Sequence, residues 1–303
     1  MEPIAIIPLD TPEISQTRLK DFWDLTKPRM NVVVLLTTVA GYYLAAGRNS
    51  VEWTRIIPTL LGTGLAAAGA SVLNQLMERH FDALMPRTAD RPLPAGRIRP
   101  FDALFFGLLL AAAGVAVLAI DVNILTASLA ALTLVTYLLI YTPAKRYTTL
   151  CTLFGAIPGA IPVMMGCTAA TGRVDATGLA LFLILFVWQI PHFLAIAILY
   201  RDDYAKGGFQ ILPVAHESFD VTARQIIVYC LALSCVTLFP VVLGTAGWRY
   251  FIAAIVLNAL LMRCALELTR SRAPSRRRHA RRLFLASLAY ILCLLPMLVM
   301  DRL

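Results

Sequence analysis

The chain has 303 residues, of which 59% are hydrophobic and only 15% charged, with a formal net charge of +9. A soluble domain carries about 25% charged and about 45–50% apolar residues, so this composition excludes an ordinary soluble domain. The apolar excess gathers into runs of about 18–20 residues, the length a helix needs to cross about 30 Å of hydrocarbon.

In chain order, residues 1–22 read as a polar N-terminal tail on the cytoplasmic side, with Glu2, Asp10, Glu13 and several prolines and no apolar core. They resemble neither a signal peptide nor an Arg-rich transit peptide, which favours a bacterial inner membrane. Residues 23–303 read as a single all-α transmembrane domain. Nine apolar runs follow, at about 30–47, 56–73, 101–120, 123–141, 150–170, 179–199, 225–244, 249–266 and 283–300. An odd number of spans puts the termini on opposite sides.

With the N-terminus inside, 22 of the 27 Lys and Arg residues fall on inner segments, and five fall outside: Arg48, Arg55, Arg173, Arg249 and Arg302. That bias predicts a cytoplasmic N-terminus, an outer C-terminus and nine spans, because one span more or fewer would invert every loop downstream. The same placement argues against nucleic acid as the partner of the positive charge. The basic stretch at 270–282 is expected to be an inner loop touching anionic lipid. Cys151, Cys167, Cys230, Cys235, Cys264 and Cys293 lie in or beside apolar runs without a Cys-x-x-Cys pair, so they read as small buried hydrophobes.

After the second run comes Asn74-Gln-Leu-Met-Glu78-Arg-His-Phe-Asp82. Asn74, Glu78 and Asp82 are spaced i, i+4, i+8, so on a helix they share one face, one turn apart. Two carboxylates at i, i+4 repel; a divalent cation would remove that penalty, and magnesium prefers carboxylates, water and phosphate oxygens. The structural alternative is a solvated helix end, with Arg79 and Arg87 offsetting the acids. Arg87 and Arg91 follow, with planar forks suited to phosphate, and Pro92, Pro94 and Gly96 make a shaped turn. Tyr141-Thr-Pro-Ala-Lys145-Arg146 closes the fourth run with residues that suit diphosphate or an interfacial anchor. A second inner segment, Tyr200-Arg-Asp202-Asp203-Tyr204-Ala-Lys206-Gly207-Gly208, again joins acids, a lysine and flexible glycines. Facing the first, it would let two cations bracket a diphosphate. His192, after Pro191 in the sixth run, is a polar ring at membrane depth: a haem or porphyrin contact, or a satisfied core histidine. His80, His216 and His279 read as loop residues.

These residues together resemble the UbiA-type intramembrane prenyltransferases and, within them, the protohaem IX farnesyltransferase (haem O synthase) branch. The resemblance covers about residues 20–300. It rests on Leu25-Thr-Lys-Pro-Arg29, Asn74…Glu78-Arg…Asp82-Ala-Leu-Met…Arg87-Thr…Arg91-Pro-Leu-Pro, Tyr141-Thr-Pro-Ala-Lys-Arg146, Gly155-Ala-Ile-Pro-Gly-Ala-Ile-Pro162, Pro191-His-Phe193 and Asp203-Tyr-Ala-Lys…Leu212-Pro-Val214. It implies nine helices around a central cavity, farnesyl diphosphate as donor, haem b as acceptor and Mg2+ on the acidic motifs. It assigns Asn74, Glu78 and Asp82 to the first metal-diphosphate motif and Asp203, with Asp202, to the second. Arg87, Arg91, Lys145, Arg146 and Lys206 are expected on diphosphate oxygens, and His192 on the haem side. Haem A synthase or terminal oxidase assembly factors are the implied partners. The chain departs from the family pattern at Tyr200 and Tyr204, where two aspartates are usual, at Cys151 in place of Asn, and at His80. The competing readings are another acceptor such as a quinone precursor, a transporter, or a non-catalytic haem-binding assembly protein.

Overall fold

The computed structural model of the protein describes residues 12–46, 52–216 and 218–303, and side chains from Arg18 onward. Among them the architecture is all-helical. The helices run α1 Pro12–Leu25, α2 Pro28–Ala45, α3 Trp53–Asp82, α4 Pro100–Asp121 and α5 Ile124–Val135. The fifth continues through a π-helical turn at Thr136–Tyr141 into the short α6 Thr142–Ala144, followed by α7 Cys151–Thr171 and α8 Ala176–Leu199. Two short helices, α9 Arg201–Lys206 and α10 Leu212–Ala215, precede α11 Phe219–Val236, α12 Phe239–Val242, α13 Trp248–Thr269 and α14 Ala273–Met300.

Local chemistry explains where these helices start and stop. Asn123 and Asp175 cap α5 and α8 by accepting from the Thr126 and Gly178 backbone N–H groups, each at 2.8 Å. Pro100 opens α4, where its missing N–H costs nothing. Gly172, at φ 70°, ends α7 in the left-handed region.

Eight helices or continuous helix pairs are long and apolar enough to cross a membrane, so this is a multi-span membrane protein. The first expected run forms α2, which is not among the eight. The core sits on α7 and α8, whose apolar windows are 72% and 67% buried, against 22–28% for α4, α5, α11 and α13. Glycines allow the closest crossings. A side chain at Gly41 of α2 would collide with the Val163 carbonyl of α7, and one at Gly166 with the Thr38 carbonyl. Gly69 of α3 lies against Gly107 and Ala111 of α4 in the same way.

Residue 22, the expected edge of the tail, lies inside α1, and residues 1–11 lie outside the described residues. The end of α1 is docked: Leu25 is fully buried beside Val72, Leu93, Ile98 and Ala103, Phe22 meets Phe106 edge-on at 5.1 Å, and Arg97 Nε donates to both oxygens of Asp21. The loop expected at 270–282 is mostly helix. Residues 273–282 form the first turns of α14, because a run of Arg and Ala behind Pro274 has strong helix propensity. His80 lies on α3 and His279 on α14, whereas His216 is non-helical as expected.

Candidate active site

The helix α3 continues past its apolar stretch, so Asn74, Glu78 and Asp82 stand on one helix and all three are buried. Each meets a basic side chain from elsewhere in the chain. Lys145 Nζ donates to Glu78 Oε1 at 2.6 Å, and Arg91 Nη1 donates to Asp82 Oδ2 at 2.7 Å. Lys27 Nζ donates to Asn74 Oδ1 at 3.4 Å. The Asn74 amide is oriented from its other side, where Nδ2 donates to Thr142 Oγ1 at 3.0 Å while that hydroxyl donates to the Tyr137 carbonyl. These pairs replace the offset by Arg79 and Arg87 that spacing alone allows. Arg79 turns back to donate to the Leu76 carbonyl.

Burial opposes the Lys145 charge, but the adjacent Glu78 carboxylate outweighs it and holds the ammonium well above the ordinary lysine pKa. Lys27 was not legible as a site residue. It precedes Pro28 at φ 49°, a left-handed conformation that costs a non-glycine residue roughly 1–2 kcal/mol. Burial first, and then the Arg91 charge, push its ammonium down to about 8. Its only sequence signal is the Lys-Pro pair at the start of α2.

The second acidic segment is brought against the first. After α9, Gly208 at φ 70° turns the chain so that Phe209 is buried with Met85, Cys151, Ala197 and Ile211. Phe209 meets Phe81 at 6.1 Å and Tyr204 at 6.0 Å, and the Gln210 N–H donates to the Lys145 carbonyl at 2.7 Å. The Arg87 guanidinium lies 4.6 Å from the Tyr200 ring and 5.7 Å from the Tyr204 ring. The two tyrosines at the unusual positions thus form an aromatic seat for an arginine. Lys145 also lies over Tyr141 at 4.4 Å, and Arg146 over Phe81 at 4.1 Å. Asp203 is half-buried, Asp202 and Lys206 are exposed, and none of the three makes an ion pair within the described residues. His80 is exposed, and Cys151 is a buried free thiol.

His192 is buried in α8, with Nδ1 2.8 Å from Ser287 Oγ of α14. It is not drawn into the acidic cluster, since its ring neighbours are Trp188, Phe193 and Phe284.

Among the described residues no three His, Cys, Asp or Glu side chains gather as a metal site. The α3 row offers two carboxylates and an amide oxygen. That is too few for a closed cage, but it suits magnesium, which keeps several waters and binds through one or two carboxylates plus substrate phosphates. The surrounding cations suit an anionic ligand on the same spot.

Comparison with known proteins places the chain in a family. Residues 34–288 match the UbiA prenyltransferase family. A protoheme IX farnesyltransferase of Solibacter usitatus (strain Ellin6076) is 40% identical, covering 94% of this chain and 99% of that protein. The protein of the same name from Anaeromyxobacter sp. (strain Fw109-5) is 46% identical, covering 90% of each chain. Among solved structures, one of a digeranylgeranylglyceryl phosphate synthase superposes with TM-score 0.78 at 16% identity, covering 94% of this chain and 98% of that one. A UbiA homolog from Archaeoglobus fulgidus bound to DMAPP and Mg2+ gives TM-score 0.63 at 14% identity, covering 91% and 99%. The chain therefore belongs to the UbiA prenyltransferase family and, within it, groups with relatives named protoheme IX farnesyltransferase.

Proposed function

We propose that the protein transfers the farnesyl group of farnesyl diphosphate to a vinyl group of haem b, with addition of water, giving haem O and diphosphate. What supports this most is the row of buried oxygens on α3 held by Lys145 and Arg91, in a chain that relatives named protoheme IX farnesyltransferase match along nearly their whole length. Asn74, Glu78 and Asp82, joined by Asp203 and Asp202 from α9, would hold magnesium. Bound there, it would counter the negative charge of the diphosphate. The Mg2+ and prenyl diphosphate in a structural relative support that assignment.

Lys145 and Arg91 are already fixed by their carboxylates, so their positive charge is in place before diphosphate arrives. Preorganised charge stabilises the negative charge that develops as the allylic C–O bond breaks, with no reorganisation at that moment. Arg87 on its aromatic seat, with Arg146 and Lys206, supplies further donors to phosphate oxygens. The vinyl group of haem b attacks the allylic carbon. Water adds to the resulting cation and releases a proton, leaving a hydroxyethylfarnesyl group. No protein nucleophile is needed, and His192 lies on the acceptor side.

In this reading the protein sits in a bacterial inner membrane with nine spans, α2 among them, its N-terminus inside and its C-terminus outside. Its product passes to haem A synthase or to terminal oxidase assembly. The test is to give the purified protein farnesyl diphosphate and haem b, with magnesium or with EDTA, and weigh the products. Haem O is expected only with magnesium. A product from 4-hydroxybenzoate but none from haem b would overturn the acceptor. Turnover unchanged by EDTA would remove the metal, and absence of diphosphate release would leave a transporter or an assembly protein.

A further inference from the structure

His192 has little freedom in the middle of α8. Its ring stacks on Trp188, one turn earlier, with centroids 5.1 Å apart and planes 23° apart, and Phe284 of α14 lies against it at 5.0 Å. Trp188 Nε1 donates to the Ser287 backbone carbonyl at 2.7 Å, so both rings are tied to the same residue of α14.

Ser287 Oγ has one proton and two close neighbours, the Phe284 carbonyl at 2.7 Å and His192 Nδ1 at 2.8 Å. The carbonyl can only accept. If the hydroxyl proton pointed to His192, the two oxygens would face each other lone pair to lone pair at hydrogen-bond distance. The proton therefore goes to Phe284, Ser287 Oγ accepts, and Nδ1 carries the imidazole proton. In the neutral ring the lone pair is then on Nε2. Nε2 has no hydrogen-bond partner among the described residues. It is also absent from the sealed, unpartnered side-chain atoms there, which are Thr63 Oγ1, Thr222 Oγ1 and Arg276 Nε. Nε2 is thus not fully sealed by its neighbours.

We infer that Ser287 sets the tautomer of His192, so that Nε2 presents its lone pair as an axial ligand to the iron of bound haem b. This rests on the acceptor reading above and deepens it. A ligating histidine whose other nitrogen donates to a fixed oxygen has its ring orientation and basicity set by that partner. Ser287 is then a positioning residue, acting through His192. Tyr200, where the arginine seat begins, lies eight residues further along the same chain, about 12 Å along a helix axis. One helix would therefore carry the iron ligand and lead into the diphosphate end.

The test uses the full chain in nanodiscs with ferrous haem b and no farnesyl diphosphate, read by resonance Raman and haem titration. Wild type is expected to show an iron–histidine stretching band, and His192→Ala to lose it. Ser287→Ala keeps the backbone carbonyl that binds Trp188. It is expected to shift the band and weaken haem binding by about tenfold or more, whereas Ser287→Thr, which keeps the hydroxyl, restores both. A band that survives in His192→Ala, or a band and affinity unchanged in Ser287→Ala, overturns the inference. If wild type binds and farnesylates haem without an iron–histidine band, the ligation falls while the acceptor reading stands. If wild type binds no haem at all, the acceptor reading itself fails.

Discussion

Two buried polar clusters in this protein are built on opposite principles. Between α11, α13 and α14 the groups are neutral and closed on one another. Tyr250 donates to the Thr237 carbonyl at 2.9 Å, Asn258 Nδ2 to Thr237 Oγ1 at 2.9 Å, and Tyr290 to Asn258 Oδ1 at 3.0 Å. Thr237 spends its own proton on the Leu233 carbonyl. Each of these side-chain nitrogen and oxygen atoms has a partner inside the protein, so the network ties three spans together. At the end of α3 the paired groups are charged: Lys145 reaches Glu78 from 67 residues away, and Arg91 reaches Asp82 from the turn that follows the helix. A phosphate oxygen can share Lys145 or Arg91, and a cation can share Glu78 or Asp82, without any group becoming uncompensated. Closure marks structure, and exchangeable charge marks a site.

Four experiments break or sharpen that contrast. The largest effect is expected from Lys145→Met, which strands Glu78 as a buried charge. It should cost about 3–5 kcal/mol of stability, read by thermal unfolding, and adding Glu78→Gln should return most of it. Asp82→Asn removes a charge from the row, and turnover with haem b should drop about 10²–10³-fold, as when one preorganised electrostatic group is lost. Normal kinetics in that variant would detach the row from the chemistry. Asn258→Ala should do the reverse, losing about 1–3 kcal/mol of stability by leaving partners unpaired, with kcat/KM unchanged. The smallest effect should come from Arg87. Arg87→Lys loses the planar fork and its seat, raising KM for farnesyl diphosphate severalfold with stability intact, while Tyr204→Phe, which keeps the ring, should leave KM alone.

Much of the molecule is legible without coordinates, because local rules govern it. Apolar runs mark the spans, and the i, i+4, i+8 spacing of Asn74, Glu78 and Asp82 sets them on one face wherever a helix forms. Residues 273–282 are helix where a loop is expected at 270–282, because a basic run suits a helix as well as a loop. The partners are a different matter. Lys145 lies 67 residues from Glu78, and Ser287 lies 95 residues from His192. No periodicity links such positions. Lys27 looks like one more inner-side charge until α2 packs on α7 and carries it to Asn74.

The sequence by itself determined the membrane class, the family and the row of oxygens, since composition, helix pitch and local motif need only neighbours along the chain. Only the tertiary structure decided which cation compensates which acid, that Tyr200 and Tyr204 seat Arg87, and which nitrogen of His192 is left open. Those outcomes depend on groups that meet across helices. In a low-dielectric interior the pairing must be completed by whatever side chain the packing delivers.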